Sequence, residues 1–243
     1  MRAYQEEPDK TTAQTHVIEK RNIKGKTAVR VARNIFYPGG GGQPQDKGVL
    51  VAPGGKKHAI ERSLVLDKQQ FLVIEAPFNA PDAENIKEDA VITIEIDGLL
   101  RRKYTRMHTA AHLLMGAVKA LMDGYEPEGI EIAQGGETGT ISFIGEFKDG
   151  NSPQDAIDLA NRMVKEDRKV WISQHESLDH AREATKDIFR FKGALNGSVS
   201  LAVIDGFDAN PCGGTHVQTL NEIGGIELKE AADSSMTFSL QGS

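Results

Sequence analysis

The chain has 243 residues, of which 39% are hydrophobic and 26% charged, a balance typical of globular proteins with a sizeable core. No apolar run reaches the roughly 18 residues of a membrane span, and the polar N-terminus lacks the apolar segment of a signal peptide. The single cysteine, Cys212, excludes an intrachain disulfide, so we expect a cytoplasmic protein with no membrane partner. The net charge of −6 argues against a surface that binds nucleic acid everywhere, although it allows a local basic groove.

Short β-branched or alternating segments fill about the first 95 residues. They predict strands at 28–37, 48–52, 59–66, 70–76 and 90–97. Glycine and proline turns separate these segments, and several short strands at this spacing are typical of a small β-barrel. We therefore predict an N-terminal β-barrel domain over residues 1–90.

The pattern changes at Gly98 to a long helix, predicted over 98–122, which is basic at first and then apolar on nearly every side, as in a core helix. The remaining elements are predicted as strands at 130–134, 138–147, 170–173 and 198–205, paired strands within 223–240, and helices after Ser152 and near 177–187. The predicted fold class is α+β, in which the small barrel is followed by an α+β domain over residues 91–243.

Two pairs of side chains carry the chemistry. His108 and His112 lie four residues apart on the long helix and share a face, as a bidentate metal clamp would. Alone, this pair also fits two buried histidines satisfied by backbone carbonyls, and it lacks the glutamate of the metalloprotease motif H-E-x-x-H. Cys212 and His216 are also four apart, and the intervening Gly-Gly-Thr favours a tight turn. Nitrogen and sulfur ligands in two such pairs suit zinc, so we predict that the four residues form a catalytic zinc site. His216 either completes the tetrahedron or stands off the metal and orients water.

The H-x-x-x-H pair followed by "CGGTHV" resembles the editing domain of alanyl-tRNA synthetases and the freestanding alanyl-tRNA editing proteins, the AlaX family. Threonyl-tRNA synthetase editing domains share the two-pair pattern more loosely. The stretch "FYPGGGGQPQDKG" (36–48) resembles the glycine-rich motif of medium-length family members, which carry a β-barrel before the editing domain. "ANRMVKEDRKVW" and "NEIGGIEL" also fit, so the resemblance covers about residues 10–230.

The resemblance implies a trans-acting, zinc-dependent deacylase of mischarged tRNA for alanine, chiefly serine-charged and secondarily glycine-charged, that needs no obligatory protein partner. It also implies that Gly41 and Gly42 let the backbone approach the aminoacyl-adenosine end, while Gln43 and Asp46 fix this loop. A flexible turn is the alternative interpretation, and a P-loop is excluded because no Gly-Lys-Ser/Thr follows. Two residues on strands expected beside the pocket are candidates for polar contacts to the substrate, namely Gln134 and Thr140.

Four basic side chains precede the apolar part of the long helix: Arg101, Arg102, Lys103 and Arg106. We predict that they hold phosphates of a tRNA acceptor end, and a solvated helix face is the alternative. The segment 228–240 has a single lysine where family members usually carry a basic turn. Two other functions therefore stay open: a zinc hydrolase of a small ester or amide, and a zinc-stabilised RNA-binding module without catalysis.

Overall fold

The computed structural model describes residues 2–189 and 191–242, without the side chains of Asp82 and Asp187. It confirms the predicted fold class, since a closed β-barrel at the N-terminal end is followed by mixed helices and sheets. Among the helices of the described residues, none is both long and apolar enough to cross a membrane.

The described residues divide into two compact units. One unit contains residues 2–40 and 44–102, and the other contains residues 41–43 together with the described part of 103–242. The predicted division into domains 1–90 and 91–243 concerns segments that fold by themselves, and it stays a prediction.

The first unit is a six-stranded barrel in which all neighbouring strands are antiparallel. After a short helix, α1 (Ala3–Glu6), its strands are β1 (Thr12–Ile23), β2 (Lys26–Val31), β3 (Gly48–Val51), β4 (Lys57–Leu66), β5 (Gln69–Pro77) and β6 (Val91–Ile96), with a 3-10 turn at Pro81–Ala83. The strand order is β1-β2-β5-β4-β3-β6, and β6 pairs with β1 to close the barrel.

Two details of the barrel differ from the sequence prediction. The strand β1 was not predicted, although Ala13, Thr15 and Val17 are buried in alternation with exposed neighbours, which is the two-residue period of a strand. The predicted strand at 28–37 is too long, because β2 ends at Val31. The apolar residues beyond it are buried outside the sheet, so their hydrophobicity reflects packing into the core.

After the barrel, the described residues form three longer helices and two antiparallel sheets. The elements are α2 (Gly98–Leu121), β7 (Met122–Ile132), β8 (Gly139–Phe147), α3 (Pro153–Lys165), β9 (Val170–His175), α4 (Leu178–Thr185), β10 (Val199–Ile204), β11 (Asp208–Pro211), β12 (Ile226–Ala232) and β13 (Ser235–Leu240), with 3-10 turns at Lys186–Ile188 and Leu220–Ile223. One sheet has the order β12-β13-β8-β7, and the other has the order β11-β10-β9.

Helix α2 is a core helix, as predicted, and every residue from 107 to 118 is buried. It packs closely against the four-stranded sheet at Gly139 of β8. A Cβ added to Gly139 would lie 2.7 Å from the ring of Phe238 and 3.2 Å from the sulfur of Met107. This close packing fixes the part of α2 that carries the predicted histidine ligands.

Candidate metal centre

The four predicted ligands meet at one point. His108 and His112 lie on successive turns of α2, and Cys212 and His216 lie on the loop after β11. That loop is anchored to the neighbouring strand, because the Cys212 N–H donates to the carbonyl of Ser200 at 2.9 Å. Each of the four offers one ligand atom, and these atoms all lie within 4.8 Å of one another. The group could therefore hold a metal ion.

The distances within the cluster suit a tetrahedral cation. The Cys212 sulfur lies 3.2 Å from Nε2 of His216 and 3.7 Å from Nε2 of His108. Bonds of about 2.0–2.1 Å to nitrogen and 2.3 Å to sulfur, at tetrahedral angles, separate the two ligand atoms by roughly 3.6 Å. The ring centroids of His108, His112 and His216 lie 4.6 to 5.0 Å apart. The donor set could therefore hold a metal ion, with the two measured pairs near the separation that a tetrahedral site requires.

The electrostatics of the cluster also favour a bound cation. Burial lowers the pKa of His108, and the nearby His112 lowers it further. Burial is the main cause of the lowered pKa of His216, and the other two histidines add to it. Burial raises the pKa of the Cys212 thiol to about 12, although two backbone N–H groups oppose this shift. The imidazoles of His108 and His216 are thus neutral and able to coordinate, whereas the Cys212 thiol needs a nearby cation to lose its proton.

Gln43 holds one side of the cluster. Its side-chain oxygen accepts a hydrogen bond from the Thr215 N–H at 3.0 Å and lies 2.9 Å from Nδ1 of His108. Its nitrogen donates to the Thr215 hydroxyl at 2.9 Å. Gln43 is only 2% exposed. The glutamine of the glycine-rich motif therefore touches a predicted metal ligand directly.

Thr109 holds the other side of the cluster. Its hydroxyl donates to the carbonyl of Thr105 at 3.0 Å and accepts from the Val217 N–H at 3.2 Å. The same oxygen lies 3.1 Å from Nδ1 of His216. Because the hydroxyl proton is already used, Nδ1 of His216 is the donor in this contact, and its Nε2 is left to face Cys212.

Close approach explains two glycines at the cluster. A Cβ on Gly214 would lie 2.2 Å from Cε1 of His108, which no side chain can tolerate. Gly42 has φ +83°, and a Cβ there would lie 2.3 Å from the carbonyl oxygen of Ile130 in β7. The Gly42 carbonyl in turn accepts from the Ile132 N–H at 2.9 Å. The segment 41–43 is therefore seated directly against the backbone of β7.

The other predicted substrate residues lie in different settings. Asp46 is 2% exposed, and its carboxylate accepts from the Tyr37 N–H at 2.7 Å within the barrel unit. Gln134 is exposed just beyond β7. Thr140 is half-buried on β8, and its hydroxyl lies 3.0 Å from that of Thr237 on β13.

Of the four predicted phosphate-binding residues, Arg101 is buried, at 1% exposure. Its guanidinium forms a two-pronged pair with the Asp46 carboxylate, with Nε to Oδ1 at 2.7 Å. It also donates to the carbonyls of Pro8 at 3.1 Å and Ile35 at 2.7 Å. A phosphate contact by Arg101 would require this buried pair to open.

The remaining three basic residues reach the surface to different degrees. The side chain of Arg102 is 53% exposed, and that of Lys103 is 36% exposed. Arg102 lies 3.5 Å from the exposed Asp9 carboxylate, and Lys103 lies 3.5 Å from the exposed Glu137 carboxylate. Exposed ion pairs of this kind are weak. Arg106 is half-buried and donates to the carbonyl of Ile223 at 2.7 Å.

Comparison with known proteins places these observations in a family context. Residues 199–238, which include the Cys212 and His216 pair, match the family described as the threonyl and alanyl tRNA synthetase second additional domain. The chain is 26% identical to the alanyl-tRNA editing protein AlaX-L of Pyrococcus horikoshii over 93% of its own length. The resemblance to the alanyl-tRNA editing family is confirmed.

Alanine–tRNA ligases are similar over nearly the same part of the chain. The identity is 33% with the enzyme of Thermofilum pendens and 30% with that of Pyrococcus furiosus, over 85% and 81% of this chain. The chain spans 53% of the AlaX-L protein and only 22% and 21% of the two ligases. The similarity therefore concerns one part of these longer proteins.

The sequence prediction missed the polar residues that support the ligands. Thr105, Thr109 and Thr215 are all at most 3% exposed, and their hydrogen bonds connect His216 to Gln43. The available signal was the pair of threonines four residues apart on an otherwise apolar helix, since buried hydroxyls need partners. Their partners lie over a hundred residues away in the sequence, so the pattern did not reveal them.

Proposed function

We propose that the protein is an aminoacyl-tRNA deacylase that removes a wrong amino acid, chiefly serine and secondarily glycine, from tRNA for alanine. The observation that carries this proposal is the cluster of His108, His112, Cys212 and His216 in a chain similar to an alanyl-tRNA editing protein over 93% of its length. The reaction adds one water across the ester, releases the free amino acid and restores the terminal hydroxyl of the tRNA.

The metal proposed for the cluster is zinc. Three imidazole nitrogens and one thiolate suit zinc better than magnesium or calcium, which prefer oxygen ligands. When bound, zinc polarises a carbonyl or lowers the pKa of a bound water toward about 7. The chain itself keeps the imidazoles of His108 and His216 neutral by burial and orients them through Gln43 and Thr109, respectively. The 3.2 Å distance from His216 Nε2 to the Cys212 sulfur supports His216 as a fourth direct ligand. A carbonyl or water would then have to enter as a fifth ligand or displace one of the four.

An editing step of this kind is needed because a binding pocket discriminates poorly between amino acids of similar size. A binding pocket for alanine rejects serine or glycine weakly, because such small side-chain differences are worth only about 1–3 kcal/mol. A second site that pairs with the serine hydroxyl discriminates better, since alanine would leave its buried polar groups unpaired. Gly41 and Gly42 are proposed to admit the aminoacyl-adenosine end, with Gln43 and Asp46 fixing the loop and Gln134 and Thr140 as further polar contacts.

Contact with the tRNA backbone is proposed for Arg102, Lys103 and Arg106, with Arg101 contributing only if its pair with Asp46 opens. Arg102 and Lys103 have the more exposed side chains, and a phosphate can displace their weak carboxylate partners. Replacing both by alanine should weaken tRNA binding and flatten its dependence on salt, because fewer counterions are released. An unchanged salt slope would assign these residues to a solvated face instead.

The proposal is tested by deacylation of serine-, glycine- and alanine-charged tRNA for alanine, with and without a chelator. We expect rapid loss of serine, slow loss of alanine, and inhibition by the chelator. His108→Ala and Cys212→Ala should abolish the activity and lower the zinc content. His175→Ala is the matched control, because His175 lies on β9, where its Nε2 is 2.9 Å from the Ser173 hydroxyl.

Two outcomes would point to the other functions. Deacylation no faster than in buffer, with tRNA still bound, would favour a zinc-stabilised RNA-binding module. Hydrolysis of small esters that uncharged tRNA does not inhibit at low salt would favour a small-ester hydrolase. Full zinc content in both His108→Ala and Cys212→Ala would reject the metal site itself.

A further inference from the structure

The glycine-rich segment ends at Gln43, whose amide oxygen lies 2.9 Å from Nδ1 of the candidate ligand His108. We propose that Gln43 is a positioning residue of the metal centre, whose amide oxygen holds the Nδ1–H of His108 so that Nε2 faces the metal. This assignment rests on the proposed metal-dependent function and deepens it. It gives segment 41–43 a role in metal binding in addition to its proposed role toward the substrate.

The hydrogen bonds determine which way the Gln43 amide points. The Thr215 N–H can only donate, so the amide atom facing it at 3.0 Å must be the oxygen. The same oxygen lies 2.9 Å from Nδ1 of His108, which must therefore carry the proton in that contact. A neutral imidazole has one proton, so the lone pair of His108 is on Nε2. That nitrogen is the one that lies 3.7 Å from the Cys212 sulfur.

The second amide atom of Gln43 is also committed. Its nitrogen donates to the Thr215 hydroxyl at 2.9 Å, and that hydroxyl shares a second hydrogen bond with the Thr105 hydroxyl at 2.7 Å. Thr215 is 0% exposed and Thr105 is 3% exposed, so water does not supply alternative partners there. The amide cannot rotate without breaking several buried hydrogen bonds at once.

An equivalent arrangement on the opposite side supports the assignment. Nδ1 of His216 donates to the Thr109 hydroxyl, and its Nε2 also faces the Cys212 sulfur. Both histidines closest to the cysteine thus have an acceptor at Nδ1. Metal-binding histidines in proteins commonly donate this second N–H to a neighbouring acceptor, which fixes the ring and raises its basicity.

The chain offers a matched control two residues away. Gln45 belongs to the barrel unit, where its nitrogen donates to the carbonyl of Glu61 at 2.9 Å. Its oxygen accepts from the Ser63 N–H at 3.2 Å. Gln45 therefore makes a similar pair of hydrogen bonds to Gln43, with partners that are not metal ligands.

The test measures zinc affinity of the full chain by competition with a chromophoric chelator. Gln43→Leu should weaken zinc binding by roughly 10- to 100-fold, because His108 loses its acceptor. Gln43→Glu keeps an oxygen facing His108 and should retain affinity near that of the wild type. Gln45→Leu should leave the affinity unchanged. Wild-type affinity in Gln43→Leu, or equal losses in the Gln43→Leu and Gln45→Leu variants, would overturn the assignment.

A measurement on the unsubstituted protein keeps the proposal testable if Gln43→Leu fails to fold. Nitrogen NMR of zinc-loaded protein with labelled histidine should show His108 bound through Nε2 with a slowly exchanging proton on Nδ1. Coordination through Nδ1 would overturn the assignment, even with zinc fully bound. Failure of the unsubstituted protein to bind zinc would instead reject the proposed metal-dependent function, and this assignment with it.

Discussion

Gly41 and Gly42 are adjacent glycines with positive φ, yet the structure predicts that alanine disturbs the candidate metal centre at Gly42 and leaves it unchanged at Gly41. Gly41 has φ +56° and nothing within 4 Å of an added Cβ. Gly42 has φ +83°, and its added Cβ would lie 2.3 Å from the Ile130 carbonyl oxygen and 2.7 Å from the carbonyl carbon. In both variants alanine at positive φ costs about 1–2 kcal/mol of stability. The difference between the two variants therefore measures the collision of the Cβ at position 42 with the Ile130 carbonyl.

The size of the displacement follows from these distances. Ordinary contacts require about 3.5 Å, so the segment must retreat from β7 by roughly 1 Å. A shift of that size lengthens the 2.9 Å contact between Gln43 and His108 beyond the limit of a hydrogen bond. We expect Gly42→Ala to lose about 1–3 kcal/mol of stability beyond the loss in Gly41→Ala, as in other overpacked sites. Its zinc affinity should fall by roughly 10- to 100-fold, whereas Gly41→Ala should bind zinc like the wild type.

The assay combines chelator competition for zinc with urea unfolding on the same preparations. Serine deacylation measured at saturating zinc then shows whether a remaining defect concerns the substrate. Equal zinc affinities in folded Gly41→Ala and Gly42→Ala proteins would refute the coupling between segment 41–43 and the metal centre. A loss of deacylation in Gly41→Ala alone, with zinc still bound, would indicate a role confined to the substrate.

Two further predictions concern buried titratable side chains. Burial lowers the pKa values of His108 and His216, so below about pH 6.5 the unfolded chain takes up two protons that the folded, metal-free chain does not. The free energy of unfolding should therefore decrease as the pH is lowered, by up to about 2.7 kcal/mol per pH unit. Urea unfolding of chelated protein between pH 8 and 5 measures this, and a flat profile would contradict it. Arg101→Met should cost about 3–5 kcal/mol by leaving the Asp46 carboxylate buried without its partner, whereas Arg102→Met should change the melting temperature little. Equal melting temperatures for the two arginine variants would contradict the structural role of Arg101.

The cluster of candidate metal ligands could be predicted from sequence because each pair is local. A four-residue spacing on a helix places His108 beside His112, and the glycines between Cys212 and His216 allow a compact loop. Joining the two pairs required only the chemical expectation that soft and borderline ligands share one ion. The strand pattern of the barrel was readable only in part: β6, which alternates buried and less buried residues, was predicted, whereas β1, which also alternates, was missed.

Long-range partners decided what the sequence could not predict. Gln43 and Thr215 are 172 residues apart, so no local pattern indicates that they share hydrogen bonds. Arg101 reads as part of a basic helix face, but its carboxylate partner Asp46 lies 55 positions earlier, in the glycine-rich motif. A basic residue and an acidic residue each appear surface-exposed when considered alone. Only the fold shows that they neutralise each other in the interior.

The assembly of the metal centre from distant segments has a consequence during synthesis. His108 and His112 leave the ribosome 100 residues before Cys212, which at about 5–20 residues per second is a delay of roughly 5–20 s. Until then, a nascent chain has only two of the four candidate ligands. It also lacks Thr215, whose N–H and hydroxyl form hydrogen bonds with Gln43. Secure capture of an ion would therefore become possible only after the loop with Cys212 and His216 has been synthesised. A chain cut short before Cys212 would hold an ion weakly.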